Sequence, residues 1–138
     1  MGDNSEVIER FRRAVEGGDL ASMASVMDEF TADDFVQMWP QSGELMRREA
    51  SKRLAEQYSE QTGTSPKMQL SGIKSAGDLA VVEGVIDYGN GVPVRYVGIA
   101  EFSDGKVVRM TEYFADPFEA PAWRAPFVEQ MAAVGDVV

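Results

Sequence analysis

The hydrophobic pattern of the chain changes from a helical period in its first half to a period of two in its second half. Up to residue 61, apolar side chains recur every three or four positions, as on one face of an amphipathic helix. The first two such stretches end at the glycine pair 17–18 and at the polar run 31–34, which is typical of a turn. A short apolar run at 35–39 predicts a strand. The third helical stretch, at 44–61, has apolar residues every four positions at Met46, Ala50, Leu54 and Tyr58.

Three turn signals divide the second half of the chain into four predicted strands. The signals are Ala76-Gly77-Asp78, Gly89-Asn90-Gly91 and Ser103-Asp104-Gly105. Asn-Gly and Asp-Gly pairs favour tight hairpins, so the strands are expected to form an antiparallel meander. Their approximate ranges are 67–74, 79–88, 92–102 and 106–114.

A tail with three prolines follows the meander, and we expect it to end in a short helix carrying Phe127 and Met131. The order of elements predicts the α+β class. Three N-terminal helices would wrap a curved antiparallel sheet into a cone-like roll, in a single domain over residues 1–138.

Alternation along the strands assigns the side chains to two faces of the sheet. The face predicted to lie toward the helices carries Val82, Gly84, Ile86, Tyr88, Tyr96, Gly98, Ala100 and Phe102. On the last strand, Val108, Met110, Glu112 and Phe114 share one face, and Val107 belongs to the other. Glu112 is thus a carboxylate in an apolar row.

A carboxylate in such a row must be hydrogen-bonded, paired with a cation, or kept neutral by its surroundings, because burial of an unpartnered charge is costly. Perturbed carboxylates in clefts are candidate general acids or bases, which makes Glu112 the candidate catalytic residue. The alternative is that Glu112 fixes the register of the sheet or lies at a solvated rim. Tyr96 is a second candidate, as a phenolic donor to a substrate oxygen, with ordinary packing as its alternative role.

Two glycines on neighbouring inner rows, Gly84 and Gly98, leave room for a ligand, although a glycine in a curved sheet also marks a bend or bulge. We therefore predict a pocket for a small apolar molecule. Its candidate ligand-binding residues are Phe11, Gln37, Trp39, Leu54, Tyr58, Ile86, Tyr88, Gly98, Met110 and Phe114.

The composition narrows the chemistry that such a pocket can perform. The chain has no cysteine and no histidine, which excludes thiol nucleophiles, histidine triads and thiolate or imidazole metal ligands. We expect neither a metal nor a cofactor. The net charge of −10 would repel nucleic acid and anionic membranes. No apolar run is long enough for a membrane span, and the first residues lack a leader pattern, so we expect a cytoplasmic protein.

The outer face of the predicted sheet is also apolar, and this favours a homodimer formed through it. Its apolar residues are Val81, Val85, Val97, Ile99 and Val107. Charged residues between them could pair across a two-fold axis, namely Glu83, Arg95, Glu101 and Arg109.

The element order and several local motifs resemble the nuclear transport factor 2-like (NTF2-like) superfamily, and more narrowly its SnoaL-like group of polyketide cyclases, ketosteroid isomerases and limonene epoxide hydrolases. The motifs are Glu16-Gly17-Gly18-Asp19-Leu20, Phe30-Thr31-Ala32-Asp33-Asp34, Pro40-Gln41-Ser42-Gly43 and Asp104-Gly105-Lys106-Val107-Val108. They mark the fold and its turns, and the resemblance covers nearly the whole chain. The fold alone does not imply a reaction.

The resemblance places few of the catalytic groups of these enzymes on this chain. Phe11, Trp39 and Gly98 stand where the isomerases have their oxyanion tyrosine, aspartate base and protonated aspartate, so that mechanism is not expected. Glu112-Tyr113-Phe114 matches the Asp-Tyr-Phe pattern of the epoxide hydrolases, which also places a carboxylate in the pocket. The arginine and second aspartate of those hydrolases align with Gly84 and Ile86.

Three functions remain open on the sequence. The first is cofactor-free acid or base catalysis on an apolar, carbonyl-bearing or cyclic substrate, with Glu112 moving a proton. The second is a binding protein that holds a hydrophobic metabolite unchanged, with Glu112 orienting a ligand hydroxyl. The third is an interaction module with a filled core and no pocket.

Overall fold

The computed structural model describes residues 4–17 and 20–131, and it has the α+β architecture that the sequence predicts. The helices are α1 (Ser5–Gly17), α2 (Leu20–Phe30) and α3 (Arg48–Thr62). The strands are β1 (Thr31–Trp39), β2 (Glu44–Arg47), β3 (Lys67–Ala76), β4 (Leu79–Asp87), β5 (Pro93–Ser103) and β6 (Lys106–Ala115). A short 3-10 helix, Ala122–Phe127, follows β6.

The six strands form one sheet in the order β2-β1-β6-β5-β4-β3. Strands β3 to β6 are the predicted antiparallel meander. Its last hairpin turns at Asp104 and Gly105, whose positive φ angles of 52° and 76° are those of a tight two-residue turn. Strand β1 joins the meander in parallel with β6, so the sheet is mixed rather than wholly antiparallel. This pairing brings Gln37 opposite Met110, and so places the end of β1 beside the end of β6.

Two local predictions in the first half of the chain are wrong. Residues 31–34 are extended at the start of β1 instead of forming a turn, because Thr31 pairs with Val107 of β6. Glu44–Arg47 is strand β2 instead of the first turn of the third helix. The Gly43 N–H bonds the Trp39 carbonyl at 2.9 Å, which closes a hairpin and lets β2 pair with β1. Tertiary pairing here overrides the local helical spacing.

A register shift at the start of β6 corrects the face assignment of Val107. The pairing of β6 with β5 slips between Glu101 and Phe102, so Phe102 lies opposite Val107 while Glu101 lies opposite Arg109. Val107 therefore points inward and is buried in the core, although alternation assigned it to the outer face. Beyond the irregularity, Met110 faces the core as predicted.

The inner face of the sheet lies toward the helices, and its alternating burial on β4 and β5 confirms the predicted inner rows. One core cluster centres on Phe30, Phe35 and Phe102, and Phe11 meets Phe30 edge-on with ring centroids 5.9 Å apart. A second cluster includes Val82, Ile86, Val94 and Tyr96. Apolar burial of this kind is the main stabilising term of the fold.

The segment after β6 differs from the predicted tail. Its 3-10 helix ends at Phe127, and Met131 lies beyond it. Within residues 4–17 and 20–131, no helix combines the length and the apolar character that a membrane crossing requires.

Candidate functional site

Glu112 extends from the inner face of β6 and is only partly buried. It lies opposite Gly98 of β5 in the antiparallel register. Because Gly98 has no side chain, the ring of Tyr96 leans over it and carries its hydroxyl to the Glu112 carboxylate, where it donates a hydrogen bond to Oε2. The absence of a side chain at position 98 thus creates the contact between the phenol and the acid.

The other carboxylate oxygen of Glu112 accepts two hydrogen bonds from β1. Gln37 Nε2 lies 2.5 Å and Trp39 Nε1 lies 2.8 Å from Oε1. These two side chains share a face of β1, two residues apart, and the parallel pairing with β6 places both beside Glu112. With the Tyr96 hydroxyl, three donors therefore bond the carboxylate, and both of its oxygens have partners within the chain. The sequence left open whether Glu112 is hydrogen-bonded, paired with a cation or kept neutral, and in the structure it is hydrogen-bonded.

Ser51 of α3 extends this network and was missed in the sequence. It is buried, and its hydroxyl donates to Oε1 of Gln37, which fixes the amide so that Nε2 faces Glu112. A signal was present, because Ser51 lies three and seven positions before Leu54 and Tyr58 and so shares their helical stripe. A polar residue on that stripe indicates a buried partner.

The structure contains a cavity of about 580 Å³ between the helices and the inner face of the sheet. Eleven of the twelve predicted site residues line it, namely Phe11, Gln37, Trp39, Leu54, Tyr58, Ile86, Tyr88, Tyr96, Met110, Glu112 and Phe114. Gly98 does not line it. The exposed lining residues Gln41, Ser42 and Lys67 mark the mouth of the cavity.

The proposal that Gly84 and Gly98 leave open space for a ligand is wrong at both positions. A Cβ atom at Gly98 would lie 2.5 Å from the Tyr96 hydroxyl oxygen. At Gly84 it would lie 2.8 Å from the backbone oxygen of Gln69 and 3.2 Å from the Met68 side chain. Both glycines permit close packing, and the cavity lies elsewhere along the inner face.

The cavity wall is divided between an apolar part and a polar part. Helices α1 and α2 contribute mainly apolar side chains, among them Val7, Ile8, Phe11, Met23 and Met27. Aromatic rings surround the carboxylate: Phe114 lies edge-on to Trp39 at 5.9 Å and tilted against Tyr96 at 5.5 Å between ring centroids. Glu112 is therefore an ionisable group framed by apolar surface.

A second polar group on the cavity wall is a pair of tyrosines, Tyr58 from α3 and Tyr88 from the segment after β4. Burial, followed by the neighbouring Tyr58, raises the pKa of Tyr88 to about 12. Burial and the adjacent Glu112 carboxylate raise the pKa of Tyr96 well above its ordinary value. Both phenols therefore keep their protons to a higher pH than an ordinary tyrosine does.

The raised pKa of Tyr88 predicts a loss of stability in alkaline solution. The unfolded chain releases this proton near pH 10, whereas the folded chain holds it to about pH 12. The folded state therefore loses stability relative to the unfolded state as the pH rises through this window, and below pH 10 the contribution is fully present. Urea unfolding of the wild type and Tyr88→Phe between pH 8 and about pH 11.5 measures the effect. We expect a shallower decline for Tyr88→Phe, and equal slopes would contradict the assignment.

Comparison with known proteins places the fold in a family. Residues 8–110 match the model of the SnoaL-like domain family. An NTF2-like protein of unknown function from Burkholderia xenovorans is 35% identical, with a TM-score of 0.73, over 95% of this chain and 100% of that chain. No curated protein matches the chain significantly in sequence.

Two more distant crystal structures show the same fold. A protein from Kribbella flavida, provisionally assigned as a ketosteroid isomerase, is 20% identical with a TM-score of 0.76, over 97% of this chain and 93% of that chain. A SnoaL-like protein from Jannaschia, provisionally assigned as a polyketide cyclase, is 19% identical with a TM-score of 0.65, over 80% of this chain and 85% of that chain. At these identities the likeness concerns the fold alone. The family match and the relative from Burkholderia together show that this chain belongs to the SnoaL-like domain family of the NTF2-like superfamily.

Proposed function

We propose that the cavity binds a small, largely apolar organic molecule that carries an oxygen, and that Glu112 exchanges a proton with it. The observation that carries this proposal is the Glu112 carboxylate, which three donors hold at the wall of an otherwise apolar cavity of about 580 Å³. Cavities of this size suit small-molecule ligands, and convergent polar groups in them fix a ligand's orientation.

In such a reaction we expect different roles for Glu112 and Tyr96. The donors occupy three of the roughly four lone-pair positions of the carboxylate, which leaves about one position to accept a proton from the ligand. The Tyr96 hydroxyl is directed at Glu112, so it orients the acid and is not available to a substrate oxygen. In a cyclase- or isomerase-like reaction, Glu112 would take a proton from one atom of the substrate and return it to another. In a hydrolase-like reaction it would take the proton from water.

The tyrosine pair is the better candidate for stabilising a developing oxyanion. Both tyrosines line the cavity, and a phenolic hydroxyl is a donor of the kind that stabilises an oxyanion. A substrate carbonyl directed at Tyr58 and Tyr88 would place the rest of the molecule against the apolar wall.

A second candidate function, binding without chemistry, is favoured by the same three hydrogen bonds. They occupy three of the roughly four lone-pair positions of Glu112, which leaves room for a single contact with a ligand hydroxyl. In this case Glu112 orients a ligand hydroxyl and the bound compound leaves unchanged.

A retention experiment tests both candidates. The protein is incubated with a library of cyclic ketones, phenols and other hydrophobic oxygen-bearing compounds, separated from free compound, and analysed by mass spectrometry. We expect a bound compound, and its chemical conversion distinguishes catalysis from storage. If nothing in such a library is retained, the cavity-binding proposal fails.

A cavity-filling variant provides the matched control for this experiment. Ala55 lines the cavity from α3, so Ala55→Trp is expected to fill part of it and reduce retention by at least about tenfold. Ala21→Trp places the same side chain on the exposed side of α2 and should retain the compound like the wild type. Equal retention by the two variants would show that the compound binds elsewhere.

A further inference from the structure

The side chain of Gln41 bonds the backbone of Phe114 twice, as the backbone of a neighbouring strand would. Its Nε2 donates to the Phe114 carbonyl at 2.7 Å, and its Oε1 accepts from the Phe114 N–H at 2.6 Å. A carboxamide can do this because it carries both a donor and an acceptor, as a peptide group does. The two residues are 73 positions apart in sequence, so the contact joins the turn after β1 to the end of β6.

This contact continues the sheet at a point where the backbone of β1 cannot. The parallel register of β1 with β6 runs as far as Met38, and Trp39 is the last residue of β1. Pro40 follows and has no N–H group, so it cannot extend the ladder of backbone hydrogen bonds. The Gln41 amide bonds the N–H and the C=O of Phe114 in its place.

The same contact fixes the backbone behind the aromatic rings that surround Glu112. Both backbone groups of Phe114 are directed at Gln41, so Phe114 and Tyr96 form a non-hydrogen-bonded pair of the antiparallel ladder, in which side chains lie close together. The Phe114 ring also meets Trp39 edge-on. Trp39 and Tyr96 are two of the donors to the carboxylate. Gln41 therefore fixes the strand end from which the ring between these two donors extends.

The turn that carries Gln41 is also tied to Trp39. The N–H groups of Ser42 and Gly43 both donate to the Trp39 carbonyl, at 3.2 and 2.9 Å. Within the described part of the chain, β2 is an edge strand, so no further strand supports the hairpin from its other side. Past Met38, hydrogen bonds from the Gln41 amide and from the Trp39 indole join this end of the hairpin to β6. The position of the indole and the bonds of the amide are therefore linked.

We propose that Gln41 is a positioning residue for the site, which holds the end of β1 so that the Trp39 indole stays on the Glu112 carboxylate. The inference rests on the proposed function in one respect, namely that Glu112 is the group that meets the ligand. Without the Gln41 amide, the turn can move away from β6, and the indole N–H then spends part of its time away from Glu112. A site whose groups are held in place before the ligand arrives needs less reorganisation for the reaction.

The indole N–H signals in a proton–nitrogen NMR spectrum of the full chain test this proposal without any ligand. The chain has two tryptophans, and Trp123, which is 72% exposed, supplies the reference for an indole in contact with water. Trp123→Phe identifies which signal belongs to which residue. Gln41→Met keeps the length of the side chain and removes both hydrogen bonds. We expect it to move the Trp39 signal toward that of Trp123. Hydrogen exchange of the Phe114 amide should become at least about fivefold faster, as the loss of two hydrogen bonds predicts.

Two further variants control this measurement. Gln69→Met makes the same substitution at an exposed glutamine of β3 and should leave both readings as in the wild type. Gln41→Glu keeps an acceptor for the Phe114 N–H but loses the donor to the Phe114 carbonyl, so both changes should be smaller than in Gln41→Met. Gln41 is exposed, so both variants at this position should fold. An unmoved Trp39 signal in Gln41→Met would overturn the proposal, and so would unchanged exchange of the Phe114 amide.

Turnover distinguishes this inference from the proposed function. For a compound that the wild type converts, Gln41→Met should lower kcat by about tenfold and leave KM within about twofold, because it disturbs the groups around the reacting atoms. A change confined to KM would assign Gln41 to ligand entry at the mouth of the cavity and overturn the positioning role. If the protein retains no compound, the proposed function fails, while the indole signal still decides whether Gln41 positions Trp39.

Discussion

Glu112→Gln is expected to lower turnover of a compound that the wild type converts by roughly 10²- to 10⁴-fold, the usual contribution of a general acid or base. The amide can keep the surrounding hydrogen bonds. Its oxygen can accept from Gln37 and Trp39, and its NH₂ can donate to the Tyr96 oxygen. Only the charge and the proton-accepting site are lost, so the free energy of unfolding should change by no more than about 1 kcal/mol. Steady-state kinetics together with urea unfolding measure the two effects.

Glu101→Gln is the matched control for this substitution. Glu101 lies on β5 and its carboxylate pairs with Arg109 on the outer face, so its loss should leave turnover unchanged. A Glu112→Gln variant with undiminished turnover would rule out proton transfer by Glu112 and leave the binding function.

Gly98→Ala is expected to destabilise the fold by about 3 kcal/mol, through overpacking and loss of a charged hydrogen bond. The new methyl group would lie 2.5 Å from the Tyr96 hydroxyl oxygen, in a place where no contact so short is tolerated. Tyr96 is 2% exposed and hydrogen-bonded to Glu112, so it has little room to move. Urea unfolding measures the loss, and the near-UV circular dichroism of the tyrosines should change with it.

Gly72→Ala provides the control for Gly98→Ala, because it makes the same substitution in the same sheet. A Cβ atom at Gly72 would meet no atom within 4 Å, so this variant should unfold within about 0.5 kcal/mol of the wild type. Equal stability of the two alanine variants would contradict the position assigned to the Tyr96 ring.

The meander could be predicted because its information is local. Asn-Gly and Asp-Gly pairs determine the hairpins, and alternation determines the inner rows of β4 and β5. Alternation gave the wrong face for Val107, because the register shift between β5 and β6 turns this side chain to the inner face of the sheet. The sequence of either strand alone does not reveal that shift. Strand β2 was missed because pairing with β1 outweighs the helical spacing of Met46.

The candidate site also has a part that could be predicted from local sequence and a part that depends on strand pairing. Glu112 could be identified from one strand, as a carboxylate in an apolar row. Its contacts with Gln37 and Trp39, which are 75 and 73 residues away in sequence, could not be derived, because they depend on the parallel pairing of β1 with β6. The sequence pattern predicts open space beside Gly98, whereas in the structure the Tyr96 ring occupies that space. Whether the space beside a glycine is empty or is occupied by a neighbouring side chain can be seen only in the packed structure.

A crystal structure of the protein with a retained compound tests the central claim most directly. The claim is that Glu112 forms the polar wall of an apolar binding cavity. We expect the compound inside the cone, with one polar atom within about 3.2 Å of Glu112 and another facing Tyr58 or Tyr88. A compound bound outside the cavity, or a Glu112 carboxylate turned toward bulk water, would contradict it.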